Sequence, residues 1–490
     1  EATEAEVDRA LKAASCAFVA YRAKSGKERA AFLRVLADKI EAIGEALTER
    51  AGLESGLPPA RLNGERGRTV NQLRMFASLI EEGSWVDARI DRAQPDREPL
   101  PKTDLRRMLV PLGPTAVFGA SNFPLAFSVC GGDTASAFAA GNPVIVKAHP
   151  AHPGTCELTA NAVIEAIQET NMPPGLFSMV HGAGHETGLA LVNHPLTQAV
   201  GFTGSLKGGR ALMDAAAART VPIPVFAEMG SVNPIFLLPS ALEARAAEIA
   251  AGFVGSVTLG AGQFCTKPGL AFAIAGPAFD QFAQETAAKL AEVTPVTMLH
   301  AGICSAYNAG VEALANTPGV TQVAAVPPGP QYAGAPPPFQ TTAQIILHNP
   351  KHREKEISTA TLRVACEDAA EMQAAAHSLQ GNLTGTVHGT DEELQQSTAL
   401  IETIRNSVGR LVFNGFPTGV EVCPSMQHGG PYPATSDCRG TSVGTAAILR
   451  FARPVSYQNA PAALLPPELQ DENPLGILRL GDGEPTSGAL

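Results

Sequence analysis

Positive charge is scarce in this chain. Its 490 residues carry 36 Lys and Arg against 47 Asp and Glu, giving a net charge of −11. No basic field exists to hold a phosphate backbone or an anionic bilayer, so nucleic acid and membrane are not the expected partners, and small molecules are. Long apolar runs are also missing: no stretch approaches the roughly 18 uninterrupted apolar residues of a spanning helix. The stretch from Glu1 to Lys24 mixes charges with alanines and has no signal core, so neither export nor membrane insertion is expected. Cysteine pairing has no pattern. The eight cysteines, at 16, 130, 156, 265, 304, 366, 423 and 438, show no regular spacing, which in a long chain suits reduced thiols in a cytoplasm. Zinc spacing is absent as well. His149 with His152, and His181 with His185, lack the carboxylate or cysteine neighbours of a zinc site, and Cys423, His428 and Cys438 lie too irregularly in a Gly/Pro-rich loop. No metal is expected, and no internal repeat is found.

What the chain does have is 45% hydrophobic residues with 47 Gly and 39 Pro, a mixture that suits an α/β enzyme with many strand-to-helix turns. Its length favours two or three domains. Residues 1 to about 84 have helical periodicity, with Phe32, Leu33, Leu36, Ile40 and Ile43 between charged faces, and offer no evident chemistry. Residues 87–112 turn charged and Pro-containing, the mark of an extended ribbon or linker. From 115 to 228 short β-rich runs alternate with helical segments: Thr115 to Phe118, Val144 to Lys147, Phe177 to Val180, Ala199 to Phe202 and Val221 to Phe226. That rhythm predicts a doubly wound parallel sheet, whose ligands sit at the carboxyl ends of the strands. Asn122, Lys147, Gly204 and Glu228 follow those ends. A further helix marked by Leu242, Ala246, Ile249, Phe253 and Val257 leads into a Gly-rich stretch holding Cys265, and a second α/β domain is expected from there to about Val422.

Three motifs bear on chemistry. In Gly262-Gln263-Phe264-Cys265-Thr266-Lys267-Pro268-Gly269 a lone thiol follows a helix among small and breaker residues, the setting of a nucleophile that a neighbouring base can deprotonate. A cysteine is most often a small buried hydrophobe, the reading taken for the other seven. Phe226-Ala227-Glu228-Met229-Gly230 ends an apolar strand on a carboxylate, and desolvation there is expected to raise its pKa toward that of a general base. In Phe118-Gly119-Ala120-Ser121-Asn122-Phe123-Pro124-Leu125 a strand ends in a small-residue turn presenting an amide, a donor suited to an oxyanion; alone it would be as well explained as a helix cap.

In order along the chain, Ser121-Asn122-Phe123-Pro124, Phe202-Thr203-Gly204-Ser205, Glu228-Met229-Gly230 and Gly262-Gln263-Phe264-Cys265 resemble the signatures of the aldehyde dehydrogenase superfamily, and the likeness runs over nearly the whole sequence. Asn414-Gly415-Phe416-Pro417-Thr418-Gly419-Val420, Gly429-Gly430-Pro431-Tyr432-Pro433-Ala434-Thr435 and Arg453-Pro454-Val455 are closer still to the α-ketoglutaric semialdehyde dehydrogenase group, to which NADP-dependent fatty aldehyde dehydrogenases are near relatives. The resemblance implies a Rossmann-type dinucleotide-binding domain from 1–86 and 113–229, an α/β catalytic domain from 230–430, and an oligomerisation ribbon and tail from 87–112 and 443–490 that build a homodimer or homotetramer.

It also implies roles: Cys265 as nucleophile, Asn122 as oxyanion donor, Glu228 as the base for deacylation, and Lys147 on the adenosine ribose. The turn from Gly204 through Ser205 to Gly209 would set a helix N-terminus near the pyrophosphate. Where NAD-preferring relatives place a glutamate three residues after the lysine, this chain has Pro150, which points to NADP, with NAD use possible, and Lys207 or Arg210 as helpers. The family's Glu-Glu-hydrophobe-Phe-Gly-Pro is replaced by Glu354-Lys355-Glu356-Ile357-Ser358-Thr359-Ala360, so the nicotinamide-ribose role falls to Glu356. The expected reaction is oxidation of an aldehyde, most simply α-ketoglutaric semialdehyde, to its acid through a cysteine thioester. The alternatives are a medium- or long-chain fatty aldehyde in a tunnel of Phe123, Phe127, Phe264 and Phe416, transfer of the thioester to CoA, or a non-catalytic scaffold.

Overall fold

The computed structural model describes residues 1–324, 329–348 and 360–490; Glu356 and most of the altered 354–360 segment lie outside them. The chain begins with four helices, Glu4–Tyr21, Gly26–Ile43, Glu45–Ser55 and Pro59–Glu82. The first two start at capping boxes: Thr3 and Glu6, then Ser25 and Glu28, exchange side-chain and backbone bonds that satisfy the free N–H groups of the first turn. Their apolar stripes, with Phe32, Leu36 and Phe76, bury against helices that cover a five-stranded parallel sheet.

That sheet runs Phe177–Val180, Val144–Lys147, Thr115–Phe118, Ala199–Thr203, Val225–Glu228. Every neighbouring pair is parallel, and the strand order reverses direction at Thr115–Phe118. Such a switch point leaves a crevice beyond the strand ends. Four of the five strands lie where the β-rich runs place them. The fifth is displaced toward its C-terminus because Pro222 and Pro224 have no N–H to give the ladder; regular pairing begins only at Val225.

The chain then enters a seven-stranded sheet ordered Thr321–Gln322, Pro338–Thr342, Thr361–Cys366, Leu270–Ile274, Ile235–Leu237, Asn382–His388, Val408–Phe413. Among the described residues only its Thr321–Gln322 pairing is antiparallel. Separate apolar cores fill its two faces, one around Phe272 and Phe339 and one around Phe253 and Phe282. A third sheet brings distant sequence together: Leu105–Pro111 pairs antiparallel with both Arg89–Asp91 and Ala452–Gln458, and Arg479–Gly481 and Glu484–Thr486 extend it. No helix among the described residues is long and apolar enough to cross a membrane.

Candidate active site

Cys265 owes its position to an unusual approach. After the helix Pro239–Thr258 the backbone takes left-handed φ values at three successive residues, Gly260 (56°), Ala261 (57°) and Gly262 (75°). Only glycine enters that region freely, so Ala261 holds about 1 kcal/mol of strain there. The turn is fixed from beneath by Asn233, whose Nδ2 donates to the carbonyls of Cys265 (2.8 Å) and Lys267 (3.0 Å), while its Oδ1 accepts from Thr384 N (3.2 Å) and Oγ1 (3.0 Å). Asn122, at the crevice beyond Thr115–Phe118, donates from Nδ2 to the Gln263 carbonyl at 2.9 Å. A side-chain amide carries two N–H donors, so this bond anchors Asn122 beside the cysteine turn with one donor still to give.

The Cys265 thiol meets a residue that its sequence context marks only as part of a loop. The Sγ lies 3.4 Å from His428 Nε2, and the same nitrogen is 3.1 Å from Glu228 Oε1. His428 and Glu228 are both buried, and the three donor atoms lie within 4.8 Å of one another. The imidazole is held by its own backbone, which donates to Thr441 Oγ1 (2.8 Å) and accepts from Ser442 N (2.8 Å). Ser442 Oγ in turn donates to Glu228 Oε2. Glu228 itself ends the last strand of the first sheet and is bridged to Thr435, while Met229 N bonds Ala434 O at 2.8 Å. The 428–442 loop is thereby clamped to the strand that carries the carboxylate.

Electrostatics couple the three groups. Burial alone pushes the Glu228 carboxyl up, in line with the expectation from its apolar strand. The His428 charge at 3.1 Å, with bonds from His428 and Ser442, outweighs it and holds Glu228 below the ordinary carboxylate range. The expectation of a raised Glu228 is therefore corrected: the raised group is His428. Burial opposes its protonation, but the charges of Glu228 and Cys265 prevail and keep the imidazole protonated well above its usual range. A Cys–His–Glu constellation of this kind can form a thiolate–imidazolium pair backed by a carboxylate.

Above Cys265 opens a cavity of about 350 Å³, lined by Phe123, Phe127, Phe264 and His428 and by one face of the helix Pro59–Glu82. Arg61, Glu65 and Arg68 reach it at helical spacing, which corrects the reading of residues 1–84 as devoid of chemistry. Phe416 does not line it; its ring packs 5.0 Å from His388 and against Gly252, in the core beneath the second sheet.

At the strand ends of the first sheet Lys147 is half-buried, its amine pushed below the ordinary range by burial against the opposing pull of the Cys156 and Glu1 charges. Ser205 caps the helix Leu206–Ala217, its Oγ accepting from Gly208 N at 3.1 Å. Gly204 follows the strand Ala199–Thr203, and a Cβ there would come within 2.5 Å of the Phe202 ring; Gly209 is buried, with Met229 Sδ at 2.5 Å from its Cβ position. A cation, a bare backbone turn and a helix N-terminus at one crevice suit the ribose and phosphates of a dinucleotide. Arg210 is paired with Asp214 at 3.1 Å, which leaves Lys207 as the available helper on that helix. Of the other cysteines, Cys130, Cys156, Cys304 and Cys366 are buried, Cys156 with its Sγ 3.3 Å from His152 Nδ1, whereas Cys16 and Cys438 are exposed and Cys423 is half-buried; none of the eight is in a disulfide.

His428 and Arg68 escape a reading of the sequence for different reasons. A lone histidine in a Gly/Pro-rich loop has no periodicity to place it, and its partner Cys265 is 163 residues away. An arginine on an amphipathic helix reads as a solvated face; its only signal is the Arg61-Glu65-Arg68 spacing.

A crevice suited to a dinucleotide and a cysteine flanked by histidine, glutamate and an amide donor are the parts that a cysteine-dependent oxidoreductase requires. The aldehyde dehydrogenase family profile matches residues 1–301, and the chain belongs to that family. It is 52% identical to alpha-ketoglutaric semialdehyde dehydrogenase 2 of Azospirillum brasilense over 99% of this chain and 92% of that protein. Its identity with the alpha-ketoglutaric semialdehyde dehydrogenase of Acinetobacter baylyi is 47%, with the same coverage of 99% and 92%. The fold is shared with glyceraldehyde-3-phosphate dehydrogenase GapN from Methanocaldococcus jannaschii, solved with NADP, at TM-score 0.79 and 19% identity over 94% of this chain and 95% of that one. The protein is thus an oxidoreductase acting on aldehydes with NAD(P) as acceptor.

Proposed function

We propose that this enzyme oxidises α-ketoglutaric semialdehyde to α-ketoglutarate with Cys265 as nucleophile and NADP as the preferred acceptor. The observation that carries the reading is the contact chain Cys265–His428–Glu228 at the floor of the cavity. His428 takes the thiol proton, and the thiolate adds to the aldehyde carbon to give a thiohemiacetal. Its oxyanion is met by the second N–H of Asn122 and the backbone N–H of Cys265. The dinucleotide, when bound, accepts the hydride that leaves this adduct. The thioester that results is hydrolysed by water whose proton passes to the His428–Glu228 pair, with the carboxylate as the final base. Similarity over nearly the full chain to two semialdehyde dehydrogenases supports the substrate.

The absence of a carboxylate at Pro150 supports NADP, whose 2′-phosphate would meet Lys147 and Lys207. The division into dinucleotide-binding residues 1–86 and 113–229, catalytic residues 230–430, and an oligomerisation element from 87–112 and 443–490 is the domain reading we adopt. The Ala452–Gln458 strand is an open edge of the third sheet, which supports a homodimer or homotetramer built there. The test is nicotinamide reduction by purified protein with the semialdehyde and each cofactor. Turnover by the wild type and none by Cys265→Ala is the expected result; turnover that survives the substitution overturns the assignment of the nucleophile.

A further inference from the structure

The wall of the cavity above Cys265 holds a guanidinium with no hydrogen-bonded counter-ion among the described residues. Three arginines stand near the cavity, and two of them donate to protein acceptors, although Arg410 Nε has no hydrogen-bond partner among the described residues. Arg61 Nη1 donates to Glu65 Oε2 at 2.8 Å, and its guanidinium lies 4.3 Å from the Phe123 ring centre. Arg410 donates to the carbonyls of Gly419 (3.1 Å) and Pro417 (2.5 Å), bracing the loop that forms the opposite wall. Glu65, whose carboxylate lines the cavity, is satisfied as well: its Oε1 accepts from Leu125 N (2.8 Å) and Ala126 N (3.0 Å). Arg68 differs. Its Nε and Nη2 are buried and have no hydrogen-bond partner among the described residues. The guanidinium is kept in place instead by two rings, Phe123 at 5.6 Å and Phe127 at 5.1 Å, an arrangement that fixes its plane without using its donors.

We infer that Arg68 is the specificity-determining residue that binds the carboxylate of the aldehyde substrate, and that it selects ω-carboxyl aldehydes over alkyl aldehydes. The inference deepens the proposed choice of substrate and rests on it. A guanidinium with two unpaired buried donors is costly as it stands, and a carboxylate is the planar two-oxygen acceptor that matches its fork. The length agrees in kind. In α-ketoglutaric semialdehyde the carboxylate and the aldehyde are the ends of a five-carbon chain, so C–C bonds of about 1.5 Å put them about 5 Å apart. A substrate anchored at Arg68 can therefore present its aldehyde to Cys265 within one cavity of about 350 Å³. An alkyl aldehyde of the same length would lay methylenes against these two unpaired donors, and a site with buried polar groups rejects a ligand that leaves them unpaired. The phenylalanines then act as the bed of the guanidinium rather than as a tunnel for a fatty chain.

The experiment compares kcat/KM for three aldehydes of one length: α-ketoglutaric semialdehyde, 5-oxopentanoate, which keeps the carboxylate but lacks the keto group, and pentanal, which lacks both. In the wild type 5-oxopentanoate is expected to exceed pentanal. In Arg68→Met that ratio should fall about 100-fold, the worth of a charge-assisted pair, through KM more than kcat, with the loss falling on the carboxylate-bearing aldehyde. Arg68→Lys, which keeps the charge without the fork, should lie between. No wild-type preference for 5-oxopentanoate over pentanal overturns the assignment, and so does an equal loss on both aldehydes or an unchanged ratio in Arg68→Met. If Arg68→Met does not fold, an unchanged ratio in Arg68→Lys overturns it in the same way. Should the wild type turn over 5-oxopentanoate but not the keto-acid aldehyde, the substrate reading fails while the role of Arg68 stands.

Discussion

His428→Asn distinguishes a Cys265 thiol activated by the imidazole from one that acts alone. In the native site one imidazole nitrogen faces both the thiol at 3.4 Å and the Glu228 carboxylate at 3.1 Å. Removing it has two consequences. The thiol loses its proton acceptor, and a positioned general base is worth about 10²- to 10⁴-fold in rate. Glu228 loses its counter-charge while staying buried, and breaking one partner from a buried pair costs about 3–5 kcal/mol if the charge remains. Burial is the effect that pushes this carboxyl up, so without His428 its neutral form is favoured more than in the native site, and protonation moves the stability loss toward the lower figure. The assay is the rate of iodoacetamide alkylation of Cys265 at pH 7, which needs neither cofactor nor deacylation, alongside the first-turnover rate of nicotinamide reduction. Both should fall by about 10² or more. Alkylation at the wild-type rate would refute the reasoning, because the thiol would then be activated by something other than His428.

Three further outcomes follow from the same geometry. Glu228→Gln should slow hydrolysis of the thioester more than its formation, because the neutral imidazole can still receive the thiol proton; rapid-mixing kinetics should show a burst of about one reduced nicotinamide per site and then a slow steady state, and an equal slowing of both phases would contradict the role. The pair also sets a pH window for stability. The depressed Glu228 contributes stability above the ordinary carboxylate value and loses it as pH falls through its lowered one, whereas the raised His428 contributes fully below about 6.5 and loses it only as pH rises through its raised value. Thermal melts of wild type and Glu228→Gln across pH should differ most between these limits and converge in acid, and a constant difference would exclude the coupling. Asn233→Ala removes the donor to the Cys265 carbonyl and leaves Thr384 without its acceptor; a loss of about 2–3 kcal/mol in denaturant unfolding should accompany reduced turnover, and full activity would show that the turn holds Cys265 unaided.

The parts of this molecule that local pattern governs are legible in the sequence. Thr115–Phe118 and Val144–Lys147 are uninterrupted β-rich runs, and their alternation with helical segments announces a parallel sheet with function at its ends. Where two local signals conflict the expectation slips, as at Val221 to Phe226, where β-propensity hides the two prolines that delay the strand to Val225. The family resemblance brings Cys265, Glu228 and Asn122 forward, and the fold gathers all three around one turn. His428 is invisible because its meaning is entirely long-range: a Gly/Pro-rich loop far along the chain returns to cover Glu228. The same contact reverses the Glu228 shift, which no inspection of an apolar strand end can reveal. Arg68 has the periodicity of a surface residue, and only the two rings above Cys265 turn it into a pocket wall.

The most direct test of Cys265 as the acylated nucleophile is to mix Glu228→Gln enzyme with α-ketoglutaric semialdehyde and NADP, quench in acid within the burst, and map the modified peptide by mass spectrometry. An acyl adduct is predicted on the peptide containing Cys265 and on none of those containing the other seven cysteines. An unmodified Cys265 peptide in a sample that has reduced NADP would contradict it.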